Sequence, residues 1–506
     1  MRILVIAAVG AFLCACGSSS HGTAGSGGNT RASGGAGGVS AGGSGGSSQA
    51  SGGSGGSSRD SGGTSGSLAG SGAGGTAGSA TGGAAGTTLV TGTGGSSTGG
   101  AAGAGNGGAG GAGNGGVGGS AQSAGGTASS PSTNDPNVAA LTVDSGPDNI
   151  GYLNGGFVSV TICQPGTNTC QTIDHILVDT GSIGLRVLES EVTLKLAAAA
   201  GSAGKSLAEC SPFVSGTSWG PVRLADVKLG GETAKDLRIQ LVGEATYTLP
   251  SDCSGTPIND LQTLGSKGII GVGIYVEDCG TACTRQTANP GVYYECTSAR
   301  TGGCSGAVVQ LANQITNPIA GFATDNNGSF IQLPSIPASG AASVSGLLVF
   351  GIGTRANNGL GSAKVIPLDT AGMATTNFPT GGTKYTSFID SGSNGFFFLN
   401  SSVTKLAACS GGMSNFYCPK TTTELGASML GKDGSAVAVT FTVADASKFS
   451  AANSAFSNLG GQMPGYPTDP TIPPFDWGLP FYFGRTVFTA VEAHDTPAGS
   501  GPYFAF

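Results

Sequence analysis

A chain of 506 residues with 96 glycines and a formal charge of −7 is long enough to bury a large core. Its first quarter, however, holds little but Gly, Ser, Ala and Thr, so the two parts must be read separately. The acidic balance, with no cluster of lysine or arginine, argues against nucleic acid or an anionic membrane surface as partner. Three histidines, His21, His175 and His494, and no Cys-x-x-Cys pair argue against a zinc site, and no cofactor is expected.

The chain opens with MRILVIAAVGAFLCACGSSS, in which one basic residue precedes an apolar run and then small residues. The run is too short for a membrane span and has the form of a secretory signal. Its LCAC resembles the lipobox of bacterial lipoproteins. The resemblance implies that residues 1–15 are removed and that Cys16 becomes the lipid-modified first residue of an exported protein, periplasmic or at the cell surface, attached to the membrane only through that anchor. A plain secretory signal with a chance cysteine is the alternative. Residues 16–136 carry Arg31, Arg59, Asp60 and Asp135 as their only formal charges and cannot bury enough apolar surface to offset their ordering entropy. They read as a flexible tether with a mean reach on the order of 60 Å.

From residue 137 onward, short apolar or alternating runs recur between turn signals: GGFVSVTIC, IDHILVDTG, VRLADVKLGG, LRIQLVGEATYTL, GLLVFGIG, AVAVTFTVAD and PFYFGRTVFTAVEA. This is the pattern of an all-β, mainly antiparallel protein. Helices are expected to be short and few, with ESEVTLKLAAAA (189–200) and GAVVQLANQIT (306–316) as the best candidates. Ten cysteines lie beyond the signal, an even number in an exported chain, and predict up to five disulfides. Cys163 with Cys170 and Cys409 with Cys418 are plausible hairpin staples, and the remaining connectivity is open.

An internal repeat carries the functional signal. ILVDTGSIGLRV (176–187) has a second copy, SFIDSGSNGFFFL (387–399), and each runs apolar, apolar, Asp, Thr or Ser, Gly, Ser, any residue, Gly, apolar. Asp-Ser-Gly alone means little in such a chain, since it also occurs at 60–62 and 144–146; the flanks distinguish Asp179 and Asp390. A second landmark follows each aspartate at a similar distance, GIIGVGIY with Gly271 and DWGLPFYFG with Gly478.

Asp179-Thr180-Gly181-Ser182 and Asp390-Ser391-Gly392-Ser393 resemble the paired motifs of the pepsin-like aspartic proteases. GIIGVGIY and WGLPFYFGRTVF resemble the segments that pack behind the two active-site loops of that family, and LLVFGIGTRANNG the strand entering the second lobe. DTGSIGLRV also resembles bacterial exported proteins known only as a domain of unknown function. The pepsin-like resemblance implies a bilobal β fold, with an N-terminal lobe over 137–337 carrying Asp179 and a C-terminal lobe over 338–506 carrying Asp390. It further implies a monomer acting on a polypeptide. Two carboxyls about 3 Å apart cannot both ionise and share one proton. The ionised member then activates a water while the other polarises the peptide carbonyl. Gly181 and Gly392 would permit close backbone approach, while Ser182 and Ser393 would hydrogen-bond the carboxylates.

Departures from the family pattern are visible. Arg186 stands where a tryptophan usually contacts a flap tyrosine, and the tyrosine position falls at Phe213 in SPFVSGTSWG, with Gly216 beside it, so both members of the flap hydrogen bond are expected to be missing. Asp476 and Trp477 replace two aliphatic residues, and the tether occupies the place of a pro-segment. Two other readings compete. GTSWG, with Ser218 at its centre and His494 downstream, matches the nucleophile motif of α/β serine hydrolases, although the alternating strand pattern after it does not. Alternatively, the protein binds a peptide or glycan in its cleft without catalysis. His175 is expected to make a polar contact at a strand entrance rather than to relay protons.

Overall fold

The computed structural model describes residues 129–287, 289–297 and 303–506. Regular structure among them is almost entirely β, and the α-helices are two single turns, Leu261–Leu264 and Ser401–Thr404. Neither expected helix forms. In 189–200 the apolar residues Val192, Leu194 and Leu196 alternate with polar ones and pack against the core from an extended chain. In 306–316, Ala307, Val309 and Ile315 are buried from an extended segment interrupted only by a 3-10 turn at Leu311–Asn313. A period of two prevails over alanine's helix propensity in both.

In the N-terminal lobe, Gly155–Cys163 and Cys170–Asp179 form an antiparallel hairpin closed by the Cys163–Cys170 disulfide. The second of these strands delivers Asp179 at its end. The chain then returns through Ile183–Leu188, antiparallel to Gly268–Val272, which itself runs parallel to the Asp179 strand with Asp179 opposite Gly271. The last four residues of the Asp179 strand, 176–179, and the whole of Ile183–Leu188 and Gly268–Val272 are buried, and apart from Asp179 and Arg186 they are apolar or glycine, as strands covered on both faces must be.

The C-terminal lobe repeats this plan. Thr383–Ile389 delivers Asp390, Phe396–Phe398 returns antiparallel to Phe475–Trp477, and Phe475–Trp477 runs parallel to the Asp390 strand. Gly271 and Gly478 occupy equivalent places. A side chain on Gly271 would overlap the Ser182–Ile183 backbone, and one on Gly478 would lie 2.6 Å from the Ser393 carbonyl. The rings of Phe396, Phe398, Phe441, Phe475 and Trp477 pack together with centroids from 4.8 Å (Phe475–Trp477) to 6.4 Å (Phe441–Phe475) apart. Each such side chain contributes about 1.5–3 kcal/mol by burial.

The lobes share a platform. Val138–Asp144 pairs with both Gly155–Cys163 and Val344–Phe350, and the sheet continues through Gly328–Leu333, Arg485–Ala490 and Tyr503–Ala505. A division of the chain at 337/338 therefore runs through one continuous sheet, to which the last residues of the chain return. At the other end, residues 129–136 already pack against the fold: Ser129 N–H donates to the Ala356 carbonyl, and the Pro136 carbonyl accepts from Gly231. Among the described residues five disulfides form, Cys163–Cys170, Cys210–Cys253, Cys279–Cys283, Cys296–Cys304 and Cys409–Cys418, each joining cysteines consecutive in the sequence.

Candidate active site

Asp179 and Asp390 are each held by the turn that follows them. Asp179 accepts from the Gly181 N–H (2.8 Å) on Oδ1 and from the Ser182 hydroxyl (2.6 Å) on Oδ2. Asp390 accepts from the Gly392 N–H (2.7 Å) and the Ser393 hydroxyl (2.9 Å) in the same order. Thr180 and Ser391 lock the loops to each other. The Thr180 N–H donates to Ser391 Oγ at 3.1 Å and the Ser391 N–H to Thr180 Oγ1 at 3.0 Å. Each hydroxyl then donates to the carbonyl two residues before the opposite Thr or Ser, Ser391 to Val178 at 2.8 Å and Thr180 to Ile389 at 3.3 Å. Tyr482 adds its hydroxyl at 3.0 Å from Thr180 Oγ1.

This lock brings the carboxyls together. A Cβ on Gly181 would lie 2.7 Å from Asp390 Cγ, and a Cβ on Gly392 would lie 2.7 Å from Asp179 Cγ, so only glycine fits between loop and carboxyl on either side. The two carboxyls act directly on each other and both are fully buried. Burial first, then the charge of Asp179 and then that of Asp476, hold the Asp390 carboxyl well above the usual carboxylate range. An asymmetric pair of this kind can keep one proton while its partner acts as a base, and it titrates as a unit.

Phe213 and Gly216 close the hairpin Ser206–Phe213/Gly216–Leu229 as its last cross-strand pair. Phe213 packs in one apolar cluster with Tyr152, Phe157, Leu177 and Ile269. The Arg186 guanidinium carbon lies 5.8 Å from the centroid of its ring, so a cation–ring contact stands where a hydrogen bond was expected to be missing. Arg186 is buried. It donates to the Ile183 carbonyl at 2.6 Å, pairs with Glu209 on the first hairpin strand, and reaches Asp278 at 3.2 Å. Tyr293 donates to Asp278 at 2.7 Å and accepts from the Ile315 N–H at 2.6 Å. Burial, and then the charge of Glu209 against that of Arg186, keep Asp278 well above the usual range. The hairpin is also strapped from outside by the Cys210–Cys253 disulfide and by hydrogen bonds of Thr217 to Thr256 and Ile258.

Ser218 is not an exposed nucleophile. It lies near the start of the strand Gly216–Leu229, buried, and donates to Gln240 at 2.8 Å. The strand–turn–helix setting that the serine hydrolase reading required is therefore not the setting of this residue, and His494 contacts the Glu492 carbonyl at 2.8 Å. His175 contacts Asp174 at 2.8 Å and Asp144 at 3.4 Å, a polar contact within its strand's surroundings. Cys16, the signal at 1–15 and the tether up to residue 128 lie outside the described residues.

Two tyrosines at the site carried no signal in the sequence. Tyr482 hides in the apolar run LPFYFG, and Tyr152 in the turn-rich NIGYLNGG. The Tyr152 hydroxyl is buried without a hydrogen-bond partner among the described residues; burial, followed by the charges of Asp179 and Asp390, pushes its ionisation up.

Two β lobes, each ending a buried strand in an Asp-Thr/Ser-Gly-Ser loop whose carboxyl meets its counterpart, define the bilobal acid-protease fold. Residues 133–506 match the family described as Protein of unknown function (DUF3443), and the chain belongs to that family. No curated protein matches the chain. A solved structure to which it is similar is the aspartic proteinase from Irpex lacteus, at 15% identity and a TM-score of 0.42, covering 73% of this chain and 96% of that one.

Proposed function

We propose that this protein is an aspartic-type endopeptidase in which a water between Asp179 and Asp390 attacks the peptide carbonyl. The observation that carries the reading is the opposed pair itself: two carboxyls from symmetric loops, each packed against the glycine of the other's loop and positioned by matching backbone and serine donors. Asp390 holds the proton that polarises the carbonyl, and Asp179 takes one from the water. The complete burial of both carboxyls means that substrate reaches them only when the chain covering them moves, and it favours a second reading, in which the cleft binds a peptide without cleaving it. Activity against a denatured protein at acidic pH, inhibited by a statine-type transition-state analogue, separates the two. Asp179→Asn and Asp390→Asn are each expected to lower kcat by about 10³-fold or more, since general acid–base groups contribute 10²–10⁴-fold. Equal inertness of the wild type and both variants would sink the peptidase reading.

A further inference from the structure

Behind the Asp390 loop lies a third carboxyl that paired-aspartate chemistry does not use. Asp476 is the middle residue of the strand Phe475–Trp477, with Phe388 and Phe397 as its cross-strand neighbours. Such a position asks for an aliphatic residue, and the N-terminal lobe has one there: Ile269 stands two residues before Gly271 as Asp476 stands two before Gly478. Asp476 is fully buried. Neither of its oxygens has a well-formed hydrogen bond among the described residues, and the polar group that acts on it is the Ser393 hydroxyl. Ser393 in turn donates to Asp390 Oδ2 at 2.9 Å. Strand and loop are held together there by the Leu479 N–H, which donates to the Ser393 carbonyl at 2.7 Å.

We propose that Asp476 is a positioning residue of the active centre, a third carboxyl that orients Ser393 toward Asp390 and keeps a proton beside the dyad. A buried carboxyl with no cation facing it is neutral at acidic pH, because its charge would be isolated from water without compensation. The acidic groups that bear on this corner are Asp179, Asp390, Tyr482 and Tyr152. Arg485, the nearest cation along the chain, is turned to the Phe481 carbonyl and ring. Burial raises Asp476 well above the usual range, the Ser393 contact opposes this, and the charge of Asp179 adds to the rise. As a neutral acid, Asp476 donates to Ser393 Oγ and leaves the serine proton for Asp390. Asp476 gives up its proton before Asp390 does, since its charge bears on Asp390 and not the reverse; once ionised, it competes for the serine proton and adds a like charge, and both effects keep Asp390 protonated to higher pH.

The proposal rests on the peptidase reading only for its effect on rate, and the protonation is measurable without turnover. In the full chain labelled with ¹³C at aspartate carboxyls, a pH titration by NMR should show Asp390 and Asp476 titrating above the usual range. In Asp476→Asn one of these resonances disappears and that of Asp390 moves to lower pH by about one unit, the size of a close like-charge effect. Asp476→Leu, which copies the aliphatic residue of the other lobe, gives the same shift in a protein that folds without a buried acid, whereas Asp476→Glu keeps the wild-type position. An Asp390 titration unchanged in both Asp476→Asn and Asp476→Leu overturns the proposal. If the wild type cleaves protein, the alkaline limb of its pH–rate profile moves by the same amount in the two neutral variants. If it is inert but the coupled titration is present, the peptidase reading fails and the third carboxyl stands.

Discussion

The loop around Asp179 and the loop around Asp390 make the same inner hydrogen bonds, from a glycine N–H and a serine hydroxyl at matching places. Their surroundings differ. The chain leaving Asp179 passes through Arg186, which buries one cation among Glu209 and Asp278 and so ties the loop to the strapped hairpin. The chain leaving Asp390 passes through Phe396, Phe397 and Phe398 into a wall of rings. Symmetry is kept where it aims the two carboxyls at each other, while each lobe fills the space behind its loop by its own means, one with paired charge and the other with aromatic surface.

Removing the charged side of that comparison should give the largest effect. Arg186→Met leaves Glu209 and Asp278 buried without their cation, which costs about 3–5 kcal/mol of stability. Adding Glu209→Leu should restore much of it, because an apolar replacement of a buried pair is often close to neutral. The pH dependence has a definite sign. Asp278 already titrates above its unfolded value, so its contribution is fully present below about pH 4 and is lost as pH rises through the folded value. Without Arg186 the folded value rises further and the loss runs on to higher pH, so chemical denaturation of Arg186→Met near pH 4 and near pH 7 should show the larger deficit at the higher pH. An equal deficit at both values would mean that the carboxyls are not held by Arg186.

A smaller effect should follow from disturbing the shared inner shell. Gly181→Ala and Gly392→Ala each place a methyl against the opposite carboxyl, at 2.7 Å from its carbon. Both carboxyls are pinned by their own loops, so they must separate. A misplacement of about 1 Å costs on the order of 10²-fold in rate, so under the proposed peptidase reading kcat/KM of the two variants should fall alike if the inner shell is symmetric. A large loss in only one of them would show that the lobes differ here as well.

How much of this was legible in the sequence depends on distance along the chain. The dyad was, because each motif carries its own strand, turn and donors within a dozen residues and the second copy repeats them. Part of the strand Gly216–Leu229 was also visible, since VRLADVKL alternates, whereas Phe213 was placed at the flap only by counting back along the family pattern and its pairing with Gly216 was not foreseen. Arg186 could be seen only as a departure from a pattern. Its partners Glu209 and Asp278 are brought to it by strand pairing, and nothing near Arg186 names them. The two helix assignments failed because alanine content outweighed the alternation of Val192, Leu194 and Leu196. The 337/338 division carries no sign of the platform that Arg485–Ala490 and Tyr503–Ala505 close, because a sheet built from distant segments leaves no local mark.

The smallest effect concerns Thr180 and Ser391, the one pair of inner residues that differ in kind. Ser391→Ala leaves the Thr180 N–H without its acceptor, a loss of about 1–3 kcal/mol for a buried donor. Thr180→Val keeps the shape but leaves two donors unpaired, the Ser391 N–H and the Tyr482 hydroxyl. It should therefore cost about 1 kcal/mol more than Ser391→Ala. Thr180→Ser, which makes the two loops chemically identical, should be nearly silent, because the hydroxyl and not the methyl carries the lock. A double-mutant cycle with Tyr482→Phe isolates the difference. If the tyrosine hydroxyl accounts for it, Thr180→Val costs in the Tyr482→Phe background what Ser391→Ala costs in the wild type. If the gap persists there, the asymmetry lies in the threonine methyl and its packing rather than in the hydrogen bond.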